Sequence, residues 1–297
     1  MHQVIPLVVA ATAIITYAAG DTKVICYYAS WNSYHGYNPE DFDATLCTHV
    51  NYAFAVLWDD GNLKVEDDSL DIDQGLFSRV AAMKDTNPDL KVLLSVGGGL
   101  EGLSDTFASI ATDPDWEYPT PEQSGDYITL LQELKQNFTE RGWLLTSAVS
   151  ADPKEGYAPE QINSILDWLN VMTYDMYGYA WSDYTGQNSA LYPSSLDTDY
   201  ERENLNLAAA ANNWVTAGVS KEKLAIGVPF FGKTFTLADE NQHGIHAPIT
   251  GPGLGAEAPS AENYNDWAMV WDDEQKTLLI GTPETSGLAM MTPIQLD

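Results

Sequence analysis

The sequence predicts an α/β fold, and a (β/α)8 barrel is the first choice within that class. Seven apolar runs of strand length recur along the 297 residues, and helical patterns fall between several of them. Near-continuous apolar runs are typical of strands buried on both faces of a parallel sheet, and strand–helix alternation indicates α/β architecture. A doubly wound sheet is the second choice, because no GxGxxG motif opens a helix after a strand.

The predicted strands and helices alternate over most of the chain. The strands are expected at residues 23–29, 49–56, 91–98, 144–150, 168–175, 223–232 and 287–292. The helices are expected at residues 76–86, 127–141, 161–167 and 205–215. In the second helix Ile128, Leu131 and Leu134 recur at helical spacing. Residues 236–276 are rich in Gly and Pro and are expected to form a small α+β insertion between barrel strands 7 and 8.

The amino terminus predicts a signal peptide over residues 1–20. Its apolar run is shorter than the roughly 20 residues of a membrane span, and Ala18 and Gly20 are small residues at positions −3 and −1 of a cleavage site. A buried strand or helix is the alternative, because no Lys or Arg precedes the run. Export makes the chain secreted and extracellular, and it makes the sequon at Asn137 a glycosylation site.

Cys26 and Cys47 are the two cysteines of the chain. In an oxidising compartment they form one disulfide, because two cysteines allow a single pairing. The closed loop stabilises the fold by about 3 kcal/mol in the chain-entropy account. Two buried free thiols are the alternative.

Charge and motif content limit the partners. The formal net charge of −30 argues against nucleic acid and against anionic membranes, and it suits uncharged or cationic partners. No cofactor is expected. His243 and His246 are three positions apart and belong to no HExxH motif, so no metal site is predicted. We expect the chain to act as a monomer.

Polar, aromatic and glycine residues follow several predicted strands, at the end where a barrel carries its working residues. Asp113, Asp115 and Glu117 occupy alternate positions, so an extended strand would direct them to one side, although Pro114 interrupts them. A carboxylic acid whose pKa is raised by a neighbouring carboxylate can protonate a glycosidic oxygen. Together with many aromatic rings, which stack on pyranose faces, this pattern indicates a sugar substrate.

The ordered motifs resemble those of the family 18 glycoside hydrolases, the chitinases and chitinase-like proteins. The family's active strand carries DxxDxDxE followed by Tyr-Pro, and residues 115–119, DWEYP, match its end. The resemblance covers residue 23 to about residue 297, and residues 21–297 are expected to form one barrel of this family. The other matching segments are CYY (26–28), LCTH (46–49), YAFA (52–55), SVGG (95–98), MTYD (172–175), TGQNSALY (185–192) and GVPFFGKTF (227–235).

The resemblance implies substrate-assisted hydrolysis of β-1,4-linked N-acetylglucosamine polymers, chitin or chito-oligosaccharide. Glu117 is the expected general acid, and Asp115 orients the acetamido group and shares a proton with Glu117. Tyr174 is expected to hydrogen-bond the acetamido oxygen. The disulfide between Cys26 and Cys47 also matches the family. The remaining expected substrate-binding residues are Tyr27, Trp31, Phe54, Gly97, Gly98, Tyr118, Met172 and Asp175.

The sequence also departs from the family pattern. The family has a full helix and an apolar strand before its acidic motif, whereas residues 107–111 are too short for a crossover helix. The barrel is therefore expected to be incomplete around strand 4 and helix 3. Gly99 and Pro293 stand where the family has Trp, and Phe231 stands where it has Tyr. A non-catalytic carbohydrate-binding relative and a defective splice or gene-model product are therefore alternatives to an active enzyme.

A second acidic segment imitates the catalytic motif. Residues 68–75 spell DSLDIDQG, but Gly75 stands where the acid is needed. We interpret the segment as a solvated loop before a helix, because a calcium loop would also need a bidentate Glu. His49 is expected to be a packed strand residue rather than a base.

Overall fold

The computed structural model describes residues 22–57, 62–98, 118–154, 156–239, 241–258, 268–275, 277–281 and 287–291. The predicted signal peptide and the acidic residues Asp113, Asp115 and Glu117 lie outside these ranges. The described residues form two compact units. The first comprises residues 22–56 and 63–98, and the second comprises residue 57, residue 62 and the described residues from 118 onward.

The first unit is built on a sheet with β2 at its centre. Its strands are β1 (Ile25–Ala29), β2 (His49–Leu57), β3 (Leu63–Val65) and β4 (Lys91–Val96). Both β1 and β4 pair in parallel with β2, and β3 also pairs with it. Helix α1 (Leu76–Ala81) and a 3₁₀ turn (Ala82–Asp85) connect β2 to β4, as parallel pairing requires. The three predicted strands of this region are confirmed.

The acidic segment at residues 68–75 differs from its prediction. Residues Ser69–Asp73 form a π-helical turn in which Leu70 and Asp71 are buried. The Tyr52 hydroxyl donates to the Asp71 carboxylate, and burial followed by this bond raises the pKa of Tyr52. The prediction of a solvated segment before a helix is therefore right for Asp68 and Asp73, which are exposed, and wrong for Asp71, which is buried. A buried tyrosine on β2 gives the acid a hydrogen-bond partner, and sequence spacing does not reveal such a contact.

Cys26 and Cys47 form a disulfide with their Cα atoms 6.1 Å apart. Cys26 lies on β1, and Cys47 lies just before β2, beside the buried residues Tyr28 and Val50. The bond therefore joins two segments that lead into neighbouring strands. The predicted pairing is confirmed, and the alternative of two free thiols is excluded.

The second unit contains a parallel sheet and the longest described helix. Its parallel strands are β5 (Thr146–Ser150), β6 (Trp168–Met172) and β7 (Leu224–Ile226), with β6 in the centre. Its helices are α2 (Ser124–Arg141), α3 (Pro159–Ile165), α4 (Asp199–Asn204) and α5 (Leu207–Thr216). Val171 of β6 and Trp214 of α5 are fully buried in one apolar cluster. The central strand is thus covered by helices, as its continuous apolar sequence predicts.

Local signals explain where α2 begins and ends. Thr120 and Gln123 form a reciprocal capping box at the 3₁₀ turn that precedes the helix. Gly142 ends the helix in the left-handed conformation, with φ of 66°. Tyr127, Ile128 and Leu131 are buried, so one face of the helix packs on the core. No described helix combines the length and the apolar character that a bilayer span requires.

An antiparallel sheet follows the parallel strands. Its strands are β8 (Gly232–Leu237), β9 (Ile249–Ala258), β10 (Ala268–Asp272), β11 (Thr277–Gly281) and β12 (Gly287–Met291), in the order β10-β11-β12-β8-β9. Two expectations need correction. The run at 223–232 is not one strand, because β7 ends at Ile226. The run at 287–292 pairs antiparallel with β8 and β11 rather than as a parallel barrel strand. An apolar run alone does not identify its partner strand.

Candidate active site

Two aromatic rings of the first unit form an exposed platform. Trp31 lies on the 3₁₀ turn that follows β1, and its ring stacks on that of Phe54, with centroids 6.0 Å apart and planes inclined by 22°. Trp31 is 44% exposed, and so is Tyr27, the central residue of β1. The stacked pair therefore presents a flat indole face to solvent, which is suited to packing on a sugar ring.

Two glycines at the end of β4 allow this platform to form. Gly97 and Gly98 have φ of 107° and 98°, values that residues with a Cβ rarely adopt. A Cβ atom at Gly98 would lie 2.9 Å from the Phe54 ring. The Gly97 amide donates to the Ala55 carbonyl over 2.9 Å, which fixes the turn beside β2. The SVGG segment is thus a tight strand end that supports an aromatic ring.

In the second unit Tyr174 and Asp175 follow β6 at its carboxyl end. The Tyr174 ring packs edge-on against Phe231, with centroids 5.8 Å apart. Gly227 approaches it closely, since a Cβ atom there would lie 2.9 Å from the Tyr174 ring. Asp175 has φ of 59°, a left-handed value that tertiary contacts must maintain in a residue other than glycine. The end of β6 therefore carries a phenol and a carboxylate on two successive residues, Tyr174 and Asp175.

Asn188 maintains the conformation of Asp175. Its side-chain oxygen accepts from the Asp175 amide over 3.1 Å, and its amide nitrogen donates to the Phe231 carbonyl over 3.0 Å. The Met176 amide donates to the Asn188 carbonyl over 3.1 Å. Asn188 is completely buried. A single side chain thus joins the end of β6 to the segment that leads into β8.

A buried cation completes this group. The ammonium nitrogen of Lys233 lies 3.0 Å from Oδ1 of Asp175. It also lies 5.1 Å from the Phe231 ring centroid and 5.6 Å from that of Trp181. Lys233 is 6% exposed, so its charge relies on these partners rather than on bulk water. These residues can therefore offer a ligand a hydrogen-bonding carboxylate that lies next to a cation and two aromatic rings.

The remaining predicted site residues have less distinctive surroundings. Met172 is the half-buried last residue of β6. Tyr118 is half-buried and packs near Tyr157, with ring centroids 6.3 Å apart, at the margin of the core. Asn137 is exposed on α2, and its side chain donates to the Glu133 carbonyl. Asp115 and Glu117 lie outside the described residues, and so do Gly99 and Pro293.

A family model matches the chain over most of its length. The model is that of the glycosyl hydrolases family 18, and it matches residues 23–115 and 112–286. The chain belongs to this family. The two matched segments overlap at residues 112–115.

Individual relatives agree with the family 18 assignment. Mouse chitotriosidase-1 is 32% identical over 78% of this chain and 58% of its own length. The crystal structure of an Ostrinia furnacalis Group IV chitinase with allosamidin is 30% identical, covers 92% of this chain and 86% of its own, and has a TM-score of 0.83. Human YKL-39, described as a pseudo-chitinase that retains chitooligosaccharide binding, shares the fold at 24% identity with a TM-score of 0.77, over 92% of this chain and 86% of its own.

These similarities confirm the predicted α/β class and the (β/α)8 barrel type of fold. Among the described residues the strands form three separate sheets rather than one closed sheet, which agrees with the expected incomplete barrel. The chain spans between 13% and 63% of the length of the curated relatives it matches.

Two residues of this candidate site were not singled out from the sequence. Asn188 and Lys233 lie within TGQNSALY and GVPFFGKTF, segments that carry the family resemblance. An internal Asn or Lys has no spacing signal of its own. The signal that could have identified them was their position inside matching segments that also contain glycines and aromatic residues.

Proposed function

We propose that the chain is a chitinase that hydrolyses β-1,4-linked N-acetylglucosamine polymers and oligosaccharides. The observation that carries this proposal is the group at the end of β6. Asp175 is held there by Asn188 and Lys233, and Tyr174 packs against Phe231, in a family 18 chain that also retains the sequence DWEYP at residues 115–119.

The proposed reaction is substrate-assisted and retains the anomeric configuration. The Glu117 carboxylic acid donates its proton to the glycosidic oxygen as the bond to the anomeric carbon breaks. The carbonyl oxygen of the substrate's own N-acetyl group attacks that carbon, and Asp115 orients the acetamido group. Water then opens the cyclic intermediate, and Glu117 takes back a proton as the base. The Tyr174 hydroxyl donates to the acetamido oxygen.

Sugar contacts are proposed in each unit separately. In the first unit Trp31 offers its exposed ring, supported by Phe54, Gly97 and Gly98, and Tyr27 lies on the preceding strand, β1. In the second unit Asp175 offers an exposed carboxylate, and Met172 and Tyr118 contribute half-buried apolar surface. Aromatic faces give binding energy, and the carboxylate gives a hydrogen bond to a sugar hydroxyl or amide.

Turnover of a defined oligosaccharide tests the proposal. Purified full chain is incubated with chitohexaose across a range of pH, and shortened products are followed by mass spectrometry. We expect products from the wild type and a loss of at least about 100-fold in rate for Glu117→Gln, because the general acid is removed. Trp143→Ala changes an exposed aromatic residue that is not assigned to sugar and serves as the matched control. Absence of turnover at every pH contradicts the proposal.

A non-catalytic carbohydrate-binding protein is the second candidate. Phe231 stands where the family has a tyrosine hydroxyl, whereas the stacked pair Trp31 and Phe54 retains a surface that suits sugar. This candidate predicts saturable binding of chitohexaose in calorimetry with no products after prolonged incubation. Binding together with turnover rejects it.

Secretion belongs to the same proposal. We assign residues 1–20 to a signal peptide, residues 21–297 to one monomeric barrel, and Asn137 to a glycan attachment site, since its side chain is exposed on α2. Expression in a secreting eukaryotic host tests these assignments. We expect the medium to contain a monomer that begins at Asp21 and loses mass on enzymatic deglycosylation, and Asn137→Gln to abolish that loss.

A further inference from the structure

We propose that Asp197, Glu201 and His246 form a binding site for one divalent transition-metal ion of the zinc class. Nε2 of His246 lies 3.3 Å from Oε1 of Glu201 and 3.7 Å from Oδ1 of Asp197. One possible ligand atom from each residue lies within 4.8 Å of the other two. None of the three residues belongs to the groups assigned to sugar or to catalysis.

The three side chains are held by their local structure. Asp197 precedes α4, and its Oδ2 accepts from the Ser194 amide over 2.8 Å. Glu201 is the third residue of α4, and its Oε2 accepts from the amide and the hydroxyl of Thr198 in a capping box, both over 2.7 Å. Each carboxylate is therefore fixed through a hydrogen-bonded oxygen, Oδ2 of Asp197 and Oε2 of Glu201, and its other oxygen faces the cluster.

His246 comes from a separate segment, just before β9. Its amide donates to the Thr185 carbonyl over 2.9 Å, and its ring packs edge-on against Tyr184 with centroids 4.8 Å apart. The imidazole lies beside Asp197 and Glu201, which precede His246 in the chain by 49 and 45 positions. The cluster thus joins the loop before β9 to the start of α4.

Two buried polar atoms in the cluster have no hydrogen-bond partner among the residues that the structure describes. They are Oδ1 of Asp197 and Nε2 of His246. The Asp197 side chain is 3% exposed, so water does not readily replace the missing donor. An unsatisfied buried polar group costs about 1–3 kcal/mol. A bound cation satisfies both atoms together without breaking an existing hydrogen bond.

Glu201 supplies the third ligand atom, Oε1, and two hydrogen bonds already fix the position of this oxygen. Its Oε1 accepts from the Tyr177 hydroxyl over 2.9 Å and from the Tyr184 hydroxyl over 2.7 Å. Ligating carboxylates in metal sites are oriented by outer donors of this kind. The two phenols therefore hold Oε1 beside the imidazole nitrogen.

The donor set and its spacing favour zinc-like ions over calcium or magnesium. Zinc bonds to imidazole nitrogen and carboxylate oxygen measure about 2.0–2.2 Å, so neighbouring tetrahedral ligand atoms lie roughly 3.4 Å apart. Calcium and magnesium take oxygen ligands, whereas imidazole suits zinc, copper, nickel and iron. Two carboxylates and a neutral imidazole also carry the charge that one divalent cation neutralises. A proton on His246 that bridges the two carboxylates is the competing explanation.

Metal titration of the intact chain separates the two explanations. Untagged full-length protein is freed of metal by a chelator, dialysed, and titrated with ZnCl₂ in a calorimeter. We expect one ion per chain, visible absorption bands when CoCl₂ replaces zinc, and a higher unfolding temperature in excess zinc. Absence of zinc binding overturns the proposal. A higher unfolding temperature on acidification then favours the bridging proton.

Two ligand variants and one control locate the site. His246 has φ of 63°, so His246→Asn removes the imidazole and keeps a residue that tolerates the left-handed conformation. Asp197→Asn removes one charge at nearly constant size. Each is expected to weaken zinc binding at least about tenfold and to abolish the cobalt bands. His243→Asn changes an exposed histidine outside the cluster and leaves both readouts unchanged. Zinc affinity unaltered in His246→Asn and Asp197→Asn overturns the assignment.

Discussion

The ammonium nitrogen of Lys233 lies 3.0 Å from Oδ1 of Asp175, and the two partners differ sharply in exposure. The Lys233 side chain is 7% exposed, whereas that of Asp175 is 42% exposed. A buried cation thus orients a carboxylate that remains available to a ligand. Because Lys233 lies on β8 and Asp175 follows β6, the pair also connects two sheets of the second unit.

Lys233→Met is expected to lower kcat/KM about tenfold or more on a chitin oligosaccharide. The substitution keeps an apolar stem but removes the charge, and a hydrogen bond to a charged group contributes about 1.5–3 kcal/mol. Steady-state kinetics measure the effect, and the unfolding temperature reports any loss of stability. Lys233→Arg keeps the charge and should retain most of the activity. Equal losses in both variants would show that volume, not charge, is the important property.

Asn188→Ala is expected to lower the free energy of unfolding by about 2–4 kcal/mol. It leaves the Asp175 amide and the Phe231 carbonyl without partners inside the protein, and each buried unsatisfied group costs about 1–3 kcal/mol. Urea unfolding monitored by tryptophan fluorescence measures the change. Asn188→Asp keeps the acceptor for Asp175 but loses the donor to the Phe231 carbonyl and buries a carboxylate, so it should lose at least as much. A change below about 0.5 kcal/mol, the usual range for surface substitutions, refutes this role.

Trp31→Ala is expected to weaken chitohexaose binding without destabilising the protein. An aromatic contact contributes roughly 1 kcal/mol, which corresponds to about a fivefold change in affinity. Trp31 is 44% exposed, so its loss leaves little cavity. Calorimetry on a Glu117→Gln background prevents turnover from obscuring the binding. Trp143→Ala, at a 58% exposed tryptophan after α2, is the control and should bind normally.

Stability is expected to fall at alkaline pH as Tyr127 ionises. Burial raises the pKa of Tyr127 to about 12, although its hydrogen bond to Ser147 acts in the opposite direction. Because the folded-state pKa lies above the unfolded value of about 10, this contribution is complete below pH 10 and is lost as pH rises toward 12. Urea unfolding at several pH values should show a shallower decline in Tyr127→Phe. Parallel declines would disprove the assignment.

Reduction of the disulfide between Cys26 and Cys47 is expected to lower the free energy of unfolding by about 3 kcal/mol. The bond closes a loop with a sequence separation of 21 between two segments that enter parallel strands. Urea unfolding of the oxidised protein is compared with that of the double variant Cys26→Ser and Cys47→Ser. One cooperative transition in the oxidised form would also exclude a defective, poorly folded product. Identical curves for the two proteins would contradict the stabilising role.

The sequence predicted the parallel strands well because each carries its own signal. The β-branched and aromatic runs at 49–56 and 168–175 contain strands β2 and β6, which are buried and central in their sheets. The helix with Ile128 and Leu131 was also expected, since its spacing and its glycine end are local properties. Boundaries were less accurate, as with the predicted helix at 205–215, which begins only after its N-cap Asn206, as α5 (Leu207–Thr216).

Features that depend on distant partners could not be predicted. Asp71 lies in an acidic segment, yet it is buried and accepts a hydrogen bond from Tyr52 on β2. The sequence of β12 predicts a barrel strand, and only its pairing with β8 and β11 places it in an antiparallel sheet. The contact of His246 with Glu201 likewise joins segments with no common motif. Tertiary proximity carries this information, and residue type and spacing do not.

The stereochemistry of the first product tests the central claim most directly. Proton NMR of the full chain acting on chitotetraose resolves the α and β anomers before mutarotation. A substrate-assisted reaction with Glu117 as acid predicts that the β-anomer is formed first and that Glu117→Gln forms neither at a measurable rate. An α-anomer formed first, or an undiminished rate in Glu117→Gln, would contradict the account.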